Sequence, residues 1–340
     1  MKDLISGRTS LKDPDLQSNL LDWMSCKEYN HFRNKESGED HYALSSKRGN
    51  RVYAAKKNDQ RKALQKALDG KEFDFPVKHS RTRRMTRMLF VTVNFDREQF
   101  TMEEAWASLR STGIDGFGYR YGVINSLEAN LRSIFGPHGK LVAKEAQEGG
   151  YPAPHMILVL DSPVEVELVG RGSDASWRLR DERILRRIGK DPALRSLSFR
   201  DYRSAIRLNP IWKHGFIDFE GIVKGDVFRH KKDAISYPFK YLVKSLTDDS
   251  SMSIEDLVCI DDTDSRALKT ALYTHLCNKC FRMRDISFGA GFKKRIEYIQ
   301  SEKPETSSWV RIRTLLESEY LDRMYHDIHR SDSDLETKRD

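Results

Sequence analysis

The stretch from residue 140 to 161, KLVAKEAQEGGYPAPHMILVLD, does most to limit what this chain can fold into. KLVAKEAQE (140–148) is a candidate strand and HMILVLD (155–161) a second, apolar one, with GGYPAP turning the chain between them. Strand, turn and strand predict an antiparallel hairpin with a longer loop.

Other segments fit around that hairpin. MLFVTVNF (88–95) is rich in β-branched and aromatic residues, as a buried strand is. TMEEAWASLR opens with Thr101 and has Glu104 three residues on, a capping-box pattern for a helix. GVINSLEANLRSIFG puts Val123, Leu127, Leu131 and Ile134 on one helical face, and Gly136-Pro137 stops it. WKHGFIDFEGIV (212–223) alternates as a strand, and Asp233 leads into a helix near Tyr237. The basic run from Ser176 to Leu208 reads as helical, as does Tyr53 to Leu68, ended by Gly70. Beyond Ser250 the pattern is helical with no obvious strands. The tail from Ser331 lacks core-forming apolar residues and is expected to be disordered. Strands separated by helices, with a hairpin among them, predict an α+β fold: a central antiparallel β-sheet flanked by helices, with a helical C-terminal region. The expected divisions are a basic, partly helical arm (1–85), the sheet-bearing domain (86–250), a helical region (251–330) and the tail (331–340).

Composition narrows the function. The 340 residues carry a formal charge of +8, which suits a polyanionic partner, although acidic membrane surfaces attract such a chain too. No apolar run approaches the ~18 residues of a membrane span, and the N-terminus lacks a signal-like apolar core, so the expected location is intracellular and cytoplasmic. Four cysteines are too few for a disulfide scaffold in a chain this long. Between Val77 and Met88 the chain holds Lys78, Arg81, Arg83, Arg84 and Arg87 and no acid. That run is either a solvated arm or a set of phosphate contacts.

Two constellations carry possible chemistry. His155 follows a rigid Pro-Ala-Pro turn, and Glu145 lies across the loop on the partner strand. An imidazole nitrogen and a carboxylate on adjacent strands can share one divalent cation; the plainer alternative is an ordinary hairpin. In ISYPFKYLVK (235–244), Pro238 fits a first helical turn, so Tyr237, Lys240 and Tyr241 face one way. They are either packing residues at a core edge or a tyrosine pair activated by a neighbouring ammonium, which lowers a phenol pKa of ~10. Cys277-Asn-Lys-Cys280, close to His275, has no second ligand pair and reads as ordinary helix cysteines.

In order and spacing these pieces resemble the rolling-circle replication initiators of the HUH endonuclease superfamily, above all those of archaeal plasmids and viruses. The likeness runs over roughly residues 86–248 and is carried by MLFVTVNF, KEAQEGGYPAPHMILVL, WKHGFIDFEGI and AISYPFKYLVKS, whose Tyr-x-x-Lys-Tyr matches the family's third motif in full. The resemblance implies a metal-dependent nickase and strand transferase acting on single-stranded origin DNA. Tyr237 and Tyr241 would be the nucleophiles, forming a 5′-phosphotyrosine bond and freeing a 3′-hydroxyl primer. Lys240 would stabilise a phosphate or phenolate, and His155 and Glu145 would bind Mg²⁺ or Mn²⁺. Arg81, Arg83, Arg84, Arg87 and Lys244 would hold DNA, and host helicase and polymerase would be partners, as for a plasmid- or virus-encoded protein. The family's metal motif usually has two histidines flanking one apolar residue, whereas His155 stands alone between Ala153 and Ile157. Glu145, Glu148, Asp161 or His214 would complete the site, since a hard cation accepts oxygen in place of nitrogen. The alternatives are a related transposase or relaxase, and a non-catalytic DNA-binding protein with a degenerate metal site.

Overall fold

The structure is a computed structural model that describes residues 10, 12–48, 50–69, 71–110, 122–147, 149–170, 175–180, 184–185, 211–223, 239, 263–289, 291–297 and 308–323. Along the chain run α1 (Pro14–Ser25), β1 (Glu28–Asn34), β2 (Asp40–Leu44), α2 (Arg51–Leu68), β3 (Asp74–Pro76) and β4 (Arg83–Phe95). Then come α3 (Met102–Ser108), α4 (Val123–Phe135), β5 (His138–Ala146), β6 (Pro152–Val169), β7 (Ser176–Leu179) and β8 (Gly215–Gly221). The last elements are α5 (Thr263–Cys280), β9 (Ile286–Gly289), α6 (Phe292–Arg295) and β10 (Trp309–Leu316). The class is α+β with a large antiparallel sheet, as expected. No helix among the described residues is long and apolar enough to cross a membrane.

The large sheet has seven strands in the order β3-β4-β8-β7-β6-β5-β9, and β4 also pairs with β6. The hairpin of β5 and β6 is antiparallel, as its sequence requires, and β6 continues past it to pair with β7. Arg178↔Glu220 joins β7 to β8, so the sheet curls back on itself at that end. Gly221 permits the curl, because a Cβ there would lie 2.8 Å from Val166 Cγ1.

Alternation along the strands divides the core in two. On one face Leu89, Val91 and Val93 of β4, Met156 and Leu158 of β6, and Ile217 and Phe219 of β8 are buried. They lie under Trp106 of α3, Leu127 and Leu131 of α4, and Leu272 and Leu276 of α5. On the other, Phe90, Leu141, Ala143 and Ile157 pack with Leu64 of α2, Phe292 of α6 and Phe239. Each such large apolar side chain contributes about 1.5–3 kcal/mol by leaving water. The helix ends follow their sequence signals. Thr101 N donates to Glu104 Oε2 at 2.8 Å and Glu104 N to Thr101 Oγ1 at 3.3 Å, which completes the capping box. Gly136 ends α4 at φ +74, in the left-handed region.

Three expectations change. Ser176–Leu179 is a strand rather than the start of a helix, because Trp177 and Leu179 alternate into the core. The region after 250 is not wholly helical: β9 pairs with β5, and β10 pairs with β1. The N-terminal arm is more than a partly helical arm, since β1 and β2 join β10 in a second, three-stranded sheet and β3 pairs with β4. The expected tail, 331–340, lies outside the described residues.

Candidate active site

The hairpin turn is built to hold its two strands in one register. Gly150 sits at φ +85, and a Cβ there would collide with Met102 Sδ, so only glycine fits. Trp106 Nε1 donates to the Gly150 carbonyl at 2.8 Å, and Tyr151 Oη donates to the Phe100 carbonyl at 3.2 Å. Helix α3 and the residues before it therefore pin the turn from the side. Gln147 links the turn to β4, donating from Nε2 to Asn94 Oδ1 at 2.8 Å.

With that register, Ala143 faces His155 and Glu145 faces Ala153. Residues two apart on a strand share a face, so Glu145 and His155 are diagonal neighbours. His155 Nε2 lies 3.7 Å from Glu145 Oε2, and both residues are buried. The His155 ring stacks on Phe90, centroids 5.4 Å apart, and its Nδ1 meets Thr92 Oγ1 at 3.3 Å. Stacking and the Thr92 contact fix the ring plane and turn Nε2 toward the carboxylate. A nitrogen and an oxygen donor are thus side by side. The carboxylate stands opposite Ala153, one of the two positions where a second histidine of a His-x-His pair would fall. Glu145 and His155 fit two positions of a hard cation's shell.

The proposed third ligands are not assembled there. Asp161 is six residues farther along β6, on the order of 20 Å away, and it pairs with Arg295 at 2.7 Å. His214 sits among aromatic rings, 5.0 Å from Trp212 and 5.5 Å from Phe100. Glu148 lies outside the described residues. Among the described residues no group of three or more His, Cys, Asp or Glu side chains is arranged to hold a metal ion.

Strand β8 adds residues that the sequence reading passed over. Thr92 pairs with His155 on one side and with Asp218 on the other. Phe90 likewise lies between Ile157 and Glu220. Asp218 and Glu220 therefore extend the His155 face, and Asp218 contacts the Arg178 guanidinium of β7. Burial raises the Glu220 carboxyl to about 7; Arg178 opposes the shift and Asp218 adds to it. The available signal was the alternation in GFIDFEG, where the two acids share the face opposite Ile217 and Phe219.

Tyr237, Lys240, Tyr241 and Lys244 lie outside the described residues. Phe239, between the two tyrosines, is described and fully buried, and it packs in the cluster of Phe90, Ala143 and Ile157 on the His155 face. The arginines expected to hold DNA divide into two kinds. Arg83 is 3.0 Å from Glu165 and Arg84 is 2.7 Å from Asp74, whereas Arg81 and Arg87 are exposed. Arg87 lines an open cavity of about 510 Å³ with Lys71, Phe73, Asp161 and Arg295. Cys277 is buried in the core and its thiol is pushed well up by burial, which keeps it protonated.

Compared with protein-family models, with curated proteins and with solved structures, the chain matches none.

Proposed function

We propose that the protein is a rolling-circle replication initiator, a metal-dependent nickase and strand transferase that uses tyrosine nucleophiles on single-stranded DNA. The observation that carries the reading is the position of Phe239: the residue between Tyr237 and Tyr241 packs on the sheet face that holds His155 and Glu145. Phe239 brings the chain within the tyrosine motif to that face, and phosphoryl transfer needs a nucleophile held near metal-type donors.

In this reading His155 and Glu145 hold Mg²⁺ or Mn²⁺, which when bound would draw charge from the scissile phosphate. A tyrosine Oη attacks phosphorus, the Oη–P bond forms as the P–O3′ bond breaks, and the 3′-oxygen leaves as a hydroxyl. Lys240 steadies the phenolate before attack. The second tyrosine carries out a later transfer of the same kind. Arg81 and Arg87, with Lys244, contact backbone phosphates; host helicase and polymerase would use the exposed strand and the 3′-hydroxyl.

The test is incubation with a labelled single-stranded library of random sequence and Mn²⁺. The expected result is a covalent protein–DNA adduct that disappears in Tyr237→Phe or Tyr241→Phe. Salt-dependent DNA binding with no adduct under any divalent metal would leave a non-catalytic DNA-binding protein instead.

A further inference from the structure

On the opposite face of β5, beside Glu145 in sequence, lies a second polar group that the nicking reaction does not use. Arg48, just before α2, places Nε 3.1 Å from Asp285 Oδ1 and donates from Nη2 to the Met283 carbonyl at 2.8 Å. Lys144 N donates to the Asp285 carbonyl at 2.8 Å, and Lys144 Nζ reaches the Arg284 carbonyl at 3.3 Å. Asn278 of α5 donates to the Lys144 carbonyl at 2.9 Å. About one turn earlier in α5, His275 is fully buried and meets the Tyr53 ring edge-on, centroids 5.8 Å apart. Lys57 Nζ stands 5.2 Å from the centre of that same Tyr53 ring. Helices α2 and α5 and the β5–β9 edge thus converge on one spot.

Charge there is out of balance. Three cations, Arg48, Lys57 and Lys144, meet one carboxylate, Asp285, and that carboxylate is taken by Arg48. Neither Lys57 nor Lys144 has a carboxylate partner among the described residues, and both are partly buried. Neither ring nitrogen of His275 has a hydrogen-bond partner among the described residues. Burying an ammonium without a counter-charge, or an imidazole without a partner, costs free energy that folds normally avoid. Burial holds Lys57 near 8, and neighbouring cations, Arg48 among them, push the same way.

We propose that Arg48, Lys57, Lys144 and His275 form a binding site for a phosphate-type oxyanion, separate from the His155 face. The two lysines supply charge that no carboxylate of the described residues neutralises, Arg48 adds a guanidinium held in place by Asp285, and the imidazole adds a neutral N–H donor. The same chemistry serves a free phosphate or nucleotide and a backbone phosphate of nucleic acid.

Isothermal titration of the full chain with inorganic phosphate, at fixed ionic strength, tests this. Wild type should bind saturably, Lys57→Gln and Lys144→Gln should each weaken binding about tenfold or more, and Lys144→Arg should retain it. Removing a partly buried cation that has no carboxylate partner among the described residues should leave both glutamine variants folded, with unchanged circular dichroism. Folded wild type that takes up no phosphate saturably, or glutamine variants that bind as wild type does, would overturn the site. With saturable binding in hand, displacement of the phosphate by a short single-stranded oligonucleotide assigns the site to nucleic-acid backbone. Failure of that oligonucleotide to compete assigns it to a free phosphate or nucleotide. No step of this experiment depends on cleavage, so its failure and the failure of the nicking reading are distinguishable.

Discussion

Glu145 Oε2 and His155 Nε2 lie 3.7 Å apart across the β5–β6 hairpin, both buried, with the imidazole held by the Phe90 ring and the Thr92 hydroxyl. This pair is where the chemistry proposed for the protein is most exposed to experiment.

If the pair holds a divalent cation, Glu145→Gln keeps the shape and removes the charge. Mn²⁺ affinity, read by electron paramagnetic resonance, should fall by about 100-fold or more, with adduct formation falling alongside it. Thr92→Val removes only the contact to Nδ1, and a loss of about 10-fold is expected. Unchanged Mn²⁺ affinity in Glu145→Gln would remove the carboxylate from the site.

Gly150 is the point at which the hairpin register is set. Gly150→Ala forces a Cβ against Met102 Sδ at a left-handed φ of +85. The expected cost is about 1–3 kcal/mol in denaturant unfolding. Adduct formation should also drop in the folded fraction, because Glu145 and His155 flank this turn. A fully stable variant would show that the turn is not under this constraint.

Glu220 makes stability depend on pH in a defined direction. Its carboxyl titrates near 7 in the fold, above its ordinary 4.5, so the folded state binds more protons between those values. Stability from this group is therefore present below about pH 4.5 and is lost as pH rises through about 7. Glu220→Gln should remove that fall and raise stability at pH 8 by on the order of 1–2 kcal/mol. Unfolding curves of both proteins across pH 4–9 check it, and equal slopes would contradict it.

The basic run should divide by partner. Arg84→Ala removes the guanidinium 2.7 Å from the buried Asp74 carboxylate and should cost about 1–2 kcal/mol of stability. Arg81→Ala and Arg87→Ala should leave stability unchanged and weaken single-strand binding, each lowering the salt slope by about 1. Fluorescence anisotropy over a salt series separates the two classes; equal effects in both would undo the division.

The parts of the fold that were legible in the sequence have strong local signals. β4, the β5–β6 hairpin, the Thr101 capping box and the α4 face of Val123, Leu127 and Leu131 each follow from period and punctuation. β7 was not legible, because Trp177 and Leu179 sit in a run of arginines whose charge hides a four-residue alternation. β9 and β10 were not legible because short strands depend on distant partners, here β5 and β1. The closeness of Glu145 and His155 was readable from the hairpin alone, since register follows from the turn. Asp218 and Glu220 become neighbours of His155 only through β4, which lies between the two strands.

The most direct measurement is the site of covalent attachment. After incubation with labelled single-stranded DNA and Mn²⁺, the protein is digested and the nucleotide-bearing peptide sequenced by mass spectrometry. The expected product is a phosphotyrosine-linked nucleotide on Tyr237 or Tyr241, dependent on His155 and Glu145. A linkage to any other residue, or no linkage while the DNA is bound, would contradict it.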